Sequence, residues 1–245
     1  MREDIYRSMF EVEDRHWWYS AKRKIIVSLL RRYLPAGRAS EPPRVADVGC
    51  GCGRLLEELS AARRCVGLDS SPLAVEFCLK RGLDAKSGRL PDNVPLEQGA
   101  FDAVILSDVL EHIDDDAAAA GAAAKLVRPG GIIIVTVPAY PFLFTSWDEA
   151  HGHKRRYTKA GLMRALAATG LAVELLSYYN TFLFPAAVAG RAAKKILGIP
   201  GTAELALPPP WLNAPLYAIF ASERHLLGRI WLPWGLSLIA VLRRH

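Results

Sequence analysis

The stretch VADVGCGCGRL, residues 45–55, runs from a short apolar segment into three glycines spaced by two cysteines. Residues 45–48 carry the uninterrupted apolar character of a strand covered on both faces, broken only by Asp47. Gly49, Gly51 and Gly53 then form a turn in which backbone amides can approach a ligand and positive φ is permitted. Known glycine and cysteine signatures narrow its use. A nicotinamide-binding turn needs Gly-x-Gly-x-x-Gly, and Arg54 stands where the third glycine belongs. A P-loop would close on Lys-Ser/Thr, which is missing. A zinc knuckle would repeat a Cys-x-x-Cys pair or add histidines at fixed spacing; Cys50, Cys52, Cys65 and Cys78 do neither and read as small buried thiols.

Strands and helices alternate outward from this turn. RVADV, RCVGLD, LDAKS and FDAVILSD read as strands, and IIIVTVP is the most continuous of them. GRLLEELSAA and SPLAVEFCLKRG read as helices, the second capped by Ser71 and ended by Gly82. DDDAAAAGAAAKLVRPGG is expected as a helix with acids at its start, stopped by Pro129-Gly130-Gly131. TKAGLMRALAATG is a helix between Thr158 and Gly170, and LAVELLSYY is a further strand. Two apolar helices are expected near 182–197 and 213–229, separated by PGTAELALPPP, before a last strand in GLSLIAVLRR. Ahead of the turn, SAKRKIIVSLLRRYL sets Ile25, Ile26, Leu29, Leu30 and Tyr33 on one helical face, and PAGRASEPP ends that helix. The pattern predicts a doubly wound α/β sheet between helix layers.

Bulk properties exclude several classes. The chain has 245 residues and a formal charge of +6, yet its basic residues come as scattered pairs rather than a tract, so no nucleic-acid partner is expected. No apolar run reaches the ~18 residues needed to span a bilayer. The opening MREDIYRSMF lacks an apolar core, so no secretory leader is expected and the cytoplasm is the expected location.

In a doubly wound sheet the ligand sits beyond the carboxyl ends of the strands, where strand order reverses. Asp47 lies inside the first strand and would brace the turn or meet a ligand amine. Asp69 closes the second strand, where an acid accepts both hydroxyls of a ribose. A nucleoside site with negative charge and no tailored pyrophosphate cradle suits a cationic nucleoside, S-adenosylmethionine.

VADVGCGCGRL, CVGLDSS, FDAVILSDVLEHI and LVRPGGIIIVTVP, in this order across residues 44–178, resemble the motifs of the class I S-adenosylmethionine-dependent methyltransferases. HWWYSAKRK and HGHKRRYT are similar to a bacterial subgroup associated with glycan, lipid and natural-product biosynthesis. The resemblance implies a seven-stranded Rossmann-like sheet in one domain over 1–245. It would have a helical cap at 1–40, a cofactor-binding core at 44–178, an apolar helical insertion at 180–232 and the last strand at 235–243. Carried over by position, Gly49, Gly51 and Gly53 surround the methionine part, Asp69 holds the ribose and Ser70 lies beside the adenine. Ser107 or Asp108 meets the amino group or the acceptor. Relatives often place an acid after strand three; here SGRLPDN puts Arg89 there, leaving the adenine to backbone at Leu90 or to Asp92.

The remaining chemistry-bearing residues divide between cap and acceptor side. Trp18 would lie against the sulfonium, as aromatic faces attract cations, and Arg23 would clamp the methionine carboxylate; the competing reading is a helix pinned by aromatic burial. On the acceptor side, His153 is the first expected base, Tyr157 the second, and His112 of the Glu111-His112 pair a weaker third. Asp108, Tyr140, Trp147, Asp148, His151, Arg155 and Arg156 are the expected substrate contacts, against the alternative that this loop only knits itself together. Asp148, His151 and His153 also have ligand-like spacing, but a divalent metal is not favoured and no metal ligand is assigned. The acceptor is expected to be a small or lipid-linked, anionic metabolite methylated on oxygen or carbon. The apolar insertion would be a lid over a greasy acceptor or a peripheral membrane contact. Methylation of a small amine, a non-catalytic cofactor-binding protein, a nicotinamide or nucleotide-sugar oxidoreductase, and RNA methylation are the alternatives.

Overall fold

A computed structural model describes residues 2–34, 41–196 and 206–245. Most of the expected helix end in PAGRASEPP and the connector at 197–205 therefore lie outside the described residues. Two helices come first, α1 (Glu3–Val12) and α2 (Trp17–Tyr33). The His16 side chain caps α2 by accepting from the Trp18 amide. The alternating core follows as β1 (Arg44–Val48), α3 (Arg54–Ser60), β2 (Arg64–Asp69), α4 (Pro72–Lys80), β3 (Ala85–Ser87) and β4 (Phe101–Ser107). Then come α5 (Asp116–Leu126), β5 (Val127–Pro138), a short α6 (Ser146–Ala150), α7 (Lys159–Ala167) and β6 (Ala172–Tyr179). The chain finishes with α8 (Phe184–Ile196), α9 (Pro210–Ser222) and β7 (Ser237–Arg243).

The strands form one seven-stranded sheet in the order β3-β2-β1-β4-β5-β7-β6. β7 runs antiparallel to both of its neighbours, and the pairs among β1 to β5 are parallel. Order reverses between β1 and β4, which opens a crevice beyond their carboxyl ends. Period-two alternation explains the layers. Val104, Leu106, Ile133 and Val135 face a core shared with the alanines of α5 and with α7. Their neighbours Ala103, Ile105, Ile132 and Ile134 face the opposite core, built with α2 and Phe220 of α9. Both faces are covered, so the strands read as continuous apolar runs.

The boundaries of two helices differ from the sequence expectation. α5 ends at Leu126, because Val127 is already extended and pairs with Phe101. Pro129-Gly130-Gly131 belongs to the register-shifted start of β5, with Pro129 and Gly130 exposed and Gly131 buried, and does not stop the helix. α9 also begins at Pro210 and ends at Ser222, earlier at both ends than its apolar pattern suggested.

Candidate active site

β1 delivers Asp47 and the glycine turn to the crevice. Asp47 pairs in register with Gly67 of β2 and Ile105 of β4, so its side chain is held at the centre of the sheet. It is buried, and its Oδ1 has no hydrogen-bond partner. Burial, and then the charge of Asp69, push its carboxyl up to about 7. Gly49 follows with φ +79°, and a Cβ there would come 2.4 Å from Val109 Cγ2. No other residue fits that bend. Gly51 donates its amide to Asp69 Oδ2 at 2.9 Å, which ties the first turn to the end of β2. Asp69 Oδ1 also accepts from the Ser71 amide at 2.9 Å and from the Tyr6 hydroxyl of α1 at 3.2 Å. Gly53 departs from expectation: it starts α3 at φ +88° with Cys78 Sγ filling the space behind it, and it lies off the cleft.

The cleft encloses about 1680 Å³. At one end Gly51, Asp69, Ser70, Gly88 and Leu90 line it; Ser107 and Asp108 form its middle. Trp18 and Arg23 line it from α2. The Trp18 ring also packs on Phe220, with centroids 5.3 Å apart. Arg23 spends Nη1 on the Glu13 carbonyl at 2.7 Å and Nη2 on Ser20 Oγ at 3.2 Å, and it pairs with Glu58. A carboxylate clamp would have to share that guanidinium.

Asp108 ends β4 in a left-handed conformation, φ +57°. Lys22 of α2 approaches its Oδ2 at 2.6 Å, and Thr136 Oγ1 donates to Oδ1 at 2.7 Å. Burial alone would raise this carboxyl, but the Lys22 ammonium and the Thr136 hydroxyl hold it below the usual range. Above it Glu13, buried in the cleft wall, accepts from Arg81 at 2.9 Å. Burial outweighs Arg81 and Arg23 there and pushes Glu13 up to about 7.

Beyond β5 the loop 145–157 is organised around Asp148, which is fully buried. Its Oδ2 accepts from the Thr145 amide at 2.8 Å as part of a capping box for α6. Its Oδ1 accepts from His153 Nδ1 at 2.9 Å and from Arg156 Nε at 2.9 Å. Burial would raise Asp148, yet the His153 hydrogen bond and the Arg156 guanidinium prevail and hold it well below the carboxylate range. Asp148 is therefore a bracket behind the cleft, neither a substrate contact nor a free ligand, and it does not chelate with His151 and His153. His151 gives Nδ1 to the Trp147 carbonyl at 2.8 Å and stacks on that indole at 3.7 Å between centroids. Both rings line the cleft, as do His112, His153 and Arg156.

Besides Gly53 and Asp148, three more expected residues stand outside the cleft lining. Tyr157 donates its hydroxyl to Asp116 Oδ2 at 2.7 Å, and Arg155 pairs with the same aspartate at 3.0 Å. Both anchor the loop to the start of α5, so Tyr157 is not placed to act as a base nor Arg155 to hold substrate. Tyr140 stacks on Tyr178 at 5.1 Å and is likewise committed to packing. The cluster that does form joins Glu111, His112 and His153, whose donor atoms all lie within 4.8 Å of one another. Burial and the neighbouring His153 push His112 down to about 4, so its ring is neutral at ordinary pH.

Comparison with known proteins accounts for this geometry. A family model described as "Methyltransferase domain" matches residues 16–176. The chain belongs to the class I S-adenosylmethionine-dependent methyltransferases. It is 30% identical over 161 residues to the ubiquinone biosynthesis O-methyltransferase of Methylocella silvestris, covering 57% of this chain and 61% of that one. It is 29% identical over 197 residues to an uncharacterized 37.1 kDa protein in transposon Tn4556 of Streptomyces fradiae, covering 74% of this chain but 55% of that protein. The match thus spans little more than half the length of these relatives. An S-adenosylmethionine-dependent methyltransferase from Mesorhizobium loti superposes with a TM-score of 0.58 at 17% identity, covering 88% of this chain and 96% of that one. Phosphoethanolamine N-methyltransferase 2 of Haemonchus contortus, solved with S-adenosylmethionine, gives 0.58 at 14% identity, covering 89% and 51%. At such identities these structures share the fold.

The residues present fit the family's cofactor. The partnerless Oδ1 of Asp47 offers an acceptor to an ammonium, and the Gly49 bend leaves backbone open beside it. Several methyltransferase-cleft residues escaped sequence reasoning. Tyr6, Glu13 and Tyr19 come from cap elements whose sequence showed only amphipathic helices, and Lys22 was one of several basic residues in SAKRKII. Glu111 was noted beside His112, but nothing in the sequence shows that it is fully buried with both oxygens unpartnered. Arg191 of α8 also lines the cleft, from an insertion that reads as largely apolar with basic ends.

Proposed function

We propose that the protein transfers the methyl group of S-adenosylmethionine to an oxygen of a small metabolite with an apolar body and an anionic group. One observation carries this reading: a single cleft runs from Asp47, Gly49 and Asp69 to the Glu111, His112 and His153 cluster and then along an apolar wall. Leu183, Ala187 and Val188 of the 180–232 insertion and Phe142 and Leu143 after β5 build that wall. Arg191 lies in it, half-buried, and among the described residues no carboxylate pairs with it. It is the cation this reading assigns to the acceptor's negative group. The name of the Methylocella relative supports oxygen over carbon or nitrogen.

When bound, S-adenosylmethionine supplies a methyl group activated by the adjacent sulfonium. The chain's own contribution is alignment and desolvation, because charge is dispersed rather than created in such a displacement. Asp47 and Asp69 orient the donor, and α1 and α2 shut water away from it. The acceptor hydroxyl loses its proton at the histidine cluster, where His153 is fixed by Asp148 with Nε2 toward the cleft. The insertion exposes Phe182, Trp211 and Trp231, with Trp211 at 76% and Trp231 at 70% exposure, and Trp234 is exposed just after it. We assign that surface to peripheral contact with a membrane from which a lipid-linked acceptor is drawn. No helix among the described residues is long and apolar enough to cross one.

The test is a transfer screen with methyl-labelled donor against anionic hydroxylated amphiphiles, with phosphate-bearing and amine-bearing molecules as separate pools. Label on an oxygen of an anionic acceptor is the expected result. Label confined to amines, or binding of S-adenosylhomocysteine without transfer to any pool, would replace this reading.

A further inference from the structure

Glu111 is the least satisfied acidic side chain in the cleft. It is fully buried, and neither carboxylate oxygen has a partner. A buried acid in that state is costly unless a cation or donor meets it. The two nearby protein cations are committed elsewhere: Lys22 to Asp108 at 2.6 Å and Arg156 to Asp148 at 2.8 Å. What does face Glu111 is a pair of imidazoles, His112 and His153, edge to face with centroids 4.8 Å apart.

Both rings are oriented from behind. His112 Nδ1 lies 3.1 Å from the Gly152 carbonyl, and a carbonyl can only accept, so Nδ1 carries the hydrogen. His153 Nδ1 lies 2.9 Å from the Asp148 carboxylate, with the same consequence. Each ring is left with a lone pair on Nε2. A backbone carbonyl behind one histidine and a carboxylate behind the other is how ligating imidazoles are held in structural and catalytic metal centres. The Lys154 amide donates to the Glu111 carbonyl at 2.8 Å, which pins the histidine loop to the turn after β4.

We propose that Glu111, His112 and His153 bind a divalent transition-metal ion, with its remaining positions open to the cleft. Two nitrogens and one carboxylate oxygen suit zinc, manganese, iron or cobalt better than calcium or magnesium. An ion at ~2.1 Å from each donor would hold them roughly 3.5 Å apart, so the cluster tightens by about an ångström on binding. The inference deepens the oxygen-acceptor reading and rests on it for the reaction, though not for metal binding. With the ion bound, His153 is a ligand and no longer the base: the ion polarises an acceptor hydroxyl, the proton passes to solvent, and the oxygen–methyl bond forms as the sulfur–methyl bond breaks. The site then selects acceptors that present an oxygen to a metal.

The experiment uses the full chain, stripped with EDTA and titrated separately with zinc, manganese and magnesium by calorimetry, alongside the visible spectrum of the cobalt-loaded protein. One zinc or manganese ion per chain is expected, with magnesium much weaker, and a cobalt spectrum characteristic of nitrogen and oxygen ligation. Glu111→Gln and His153→Ala should each weaken binding by at least ~10-fold, and Asp148→Asn, which loosens His153 from behind, by ~10-fold. His225→Ala, at an exposed histidine outside the cleft, should leave it unchanged. S-adenosylhomocysteine affinity, measured on every variant, reports that the cleft is intact. A wild-type chain that binds S-adenosylhomocysteine but no stoichiometric metal overturns the inference and leaves the methyltransferase reading standing. Metal binding that survives in the Glu111→Gln, His153→Ala double variant overturns it as well. A chain that binds metal at these residues but transfers no methyl group to any oxygen instead removes the oxygen-acceptor reading.

Discussion

Lys22 and Asp108 meet in the middle of the cleft at 2.6 Å, although 86 residues separate them in sequence. The pair joins the N-terminal helices to the end of β4. Both side chains are largely buried, so removing one partner strands the other. Lys22→Met should cost on the order of 2 kcal/mol of stability, and the Lys22→Met, Asp108→Asn double variant should recover much of it. Chemical denaturation of the four proteins closes the cycle. Additive losses would mean that the pair contributes nothing.

Asp47 makes cofactor affinity depend on pH. Its folded carboxyl titrates at about 7, whereas an unfolded aspartate titrates near ~3.9. Between these values the folded chain holds a proton that the unfolded chain has lost. The stability this group contributes is therefore full below about 4 and declines as pH rises toward about 7. A ligand ammonium draws the proton off, so S-adenosylhomocysteine should bind more tightly as pH rises from about 5.5 to about 7.5, by roughly tenfold. In Asp47→Asn the affinity should be lower and flat across that range. Calorimetry in buffers of different ionisation enthalpy would also detect the released proton.

Asp69 ties Gly51, Ser71 and Tyr6 together with one carboxylate. Asp69→Ala should lower S-adenosylhomocysteine affinity by ~100-fold, the worth of two hydrogen bonds to a charged group. Tyr6→Phe removes only the donor from α1 and should change affinity by less than ~10-fold. An unchanged dissociation constant in Asp69→Ala would remove the ribose assignment.

Gly49 has no room for a side chain. Gly49→Ala combines a left-handed φ with a Cβ 2.4 Å from Val109 Cγ2. Its melting temperature should fall, and S-adenosylhomocysteine should no longer raise it. Adding Val109→Ala relieves the contact but not the backbone strain, so recovery should be partial.

The exposed aromatic surface predicts association with lipid. The full chain should float with anionic vesicles, and Trp211→Ser with Trp231→Ser should return it to the soluble fraction. Wild-type protein that never floats would leave the insertion as a lid alone.

The sheet was legible because β1, β4 and β5 carry apolar runs without polar alternation, as a strand covered on both faces requires. The placing of Asp47, Gly49 and Asp69 at the crevice was legible too, because strand ends position them and strand ends show in sequence. The acceptor end was not. Tyr157 and Arg155 carry the right chemistry, but Asp116, some 40 residues earlier, takes them both. Asp148 looked like a contact and is a bracket, because its capping role and its two side-chain partners, His153 and Arg156, are all local and consume both oxygens. Residue type and spacing do not reveal which partner a polar side chain has already found.

Asn213 of α9 accepts from the Trp17 amide at 2.9 Å and donates to the Arg15 carbonyl at 2.9 Å. One amide group thereby fastens the start of α2 to α9, across 196 residues of sequence. For α2 to part from α9 at this point, both bonds must break together.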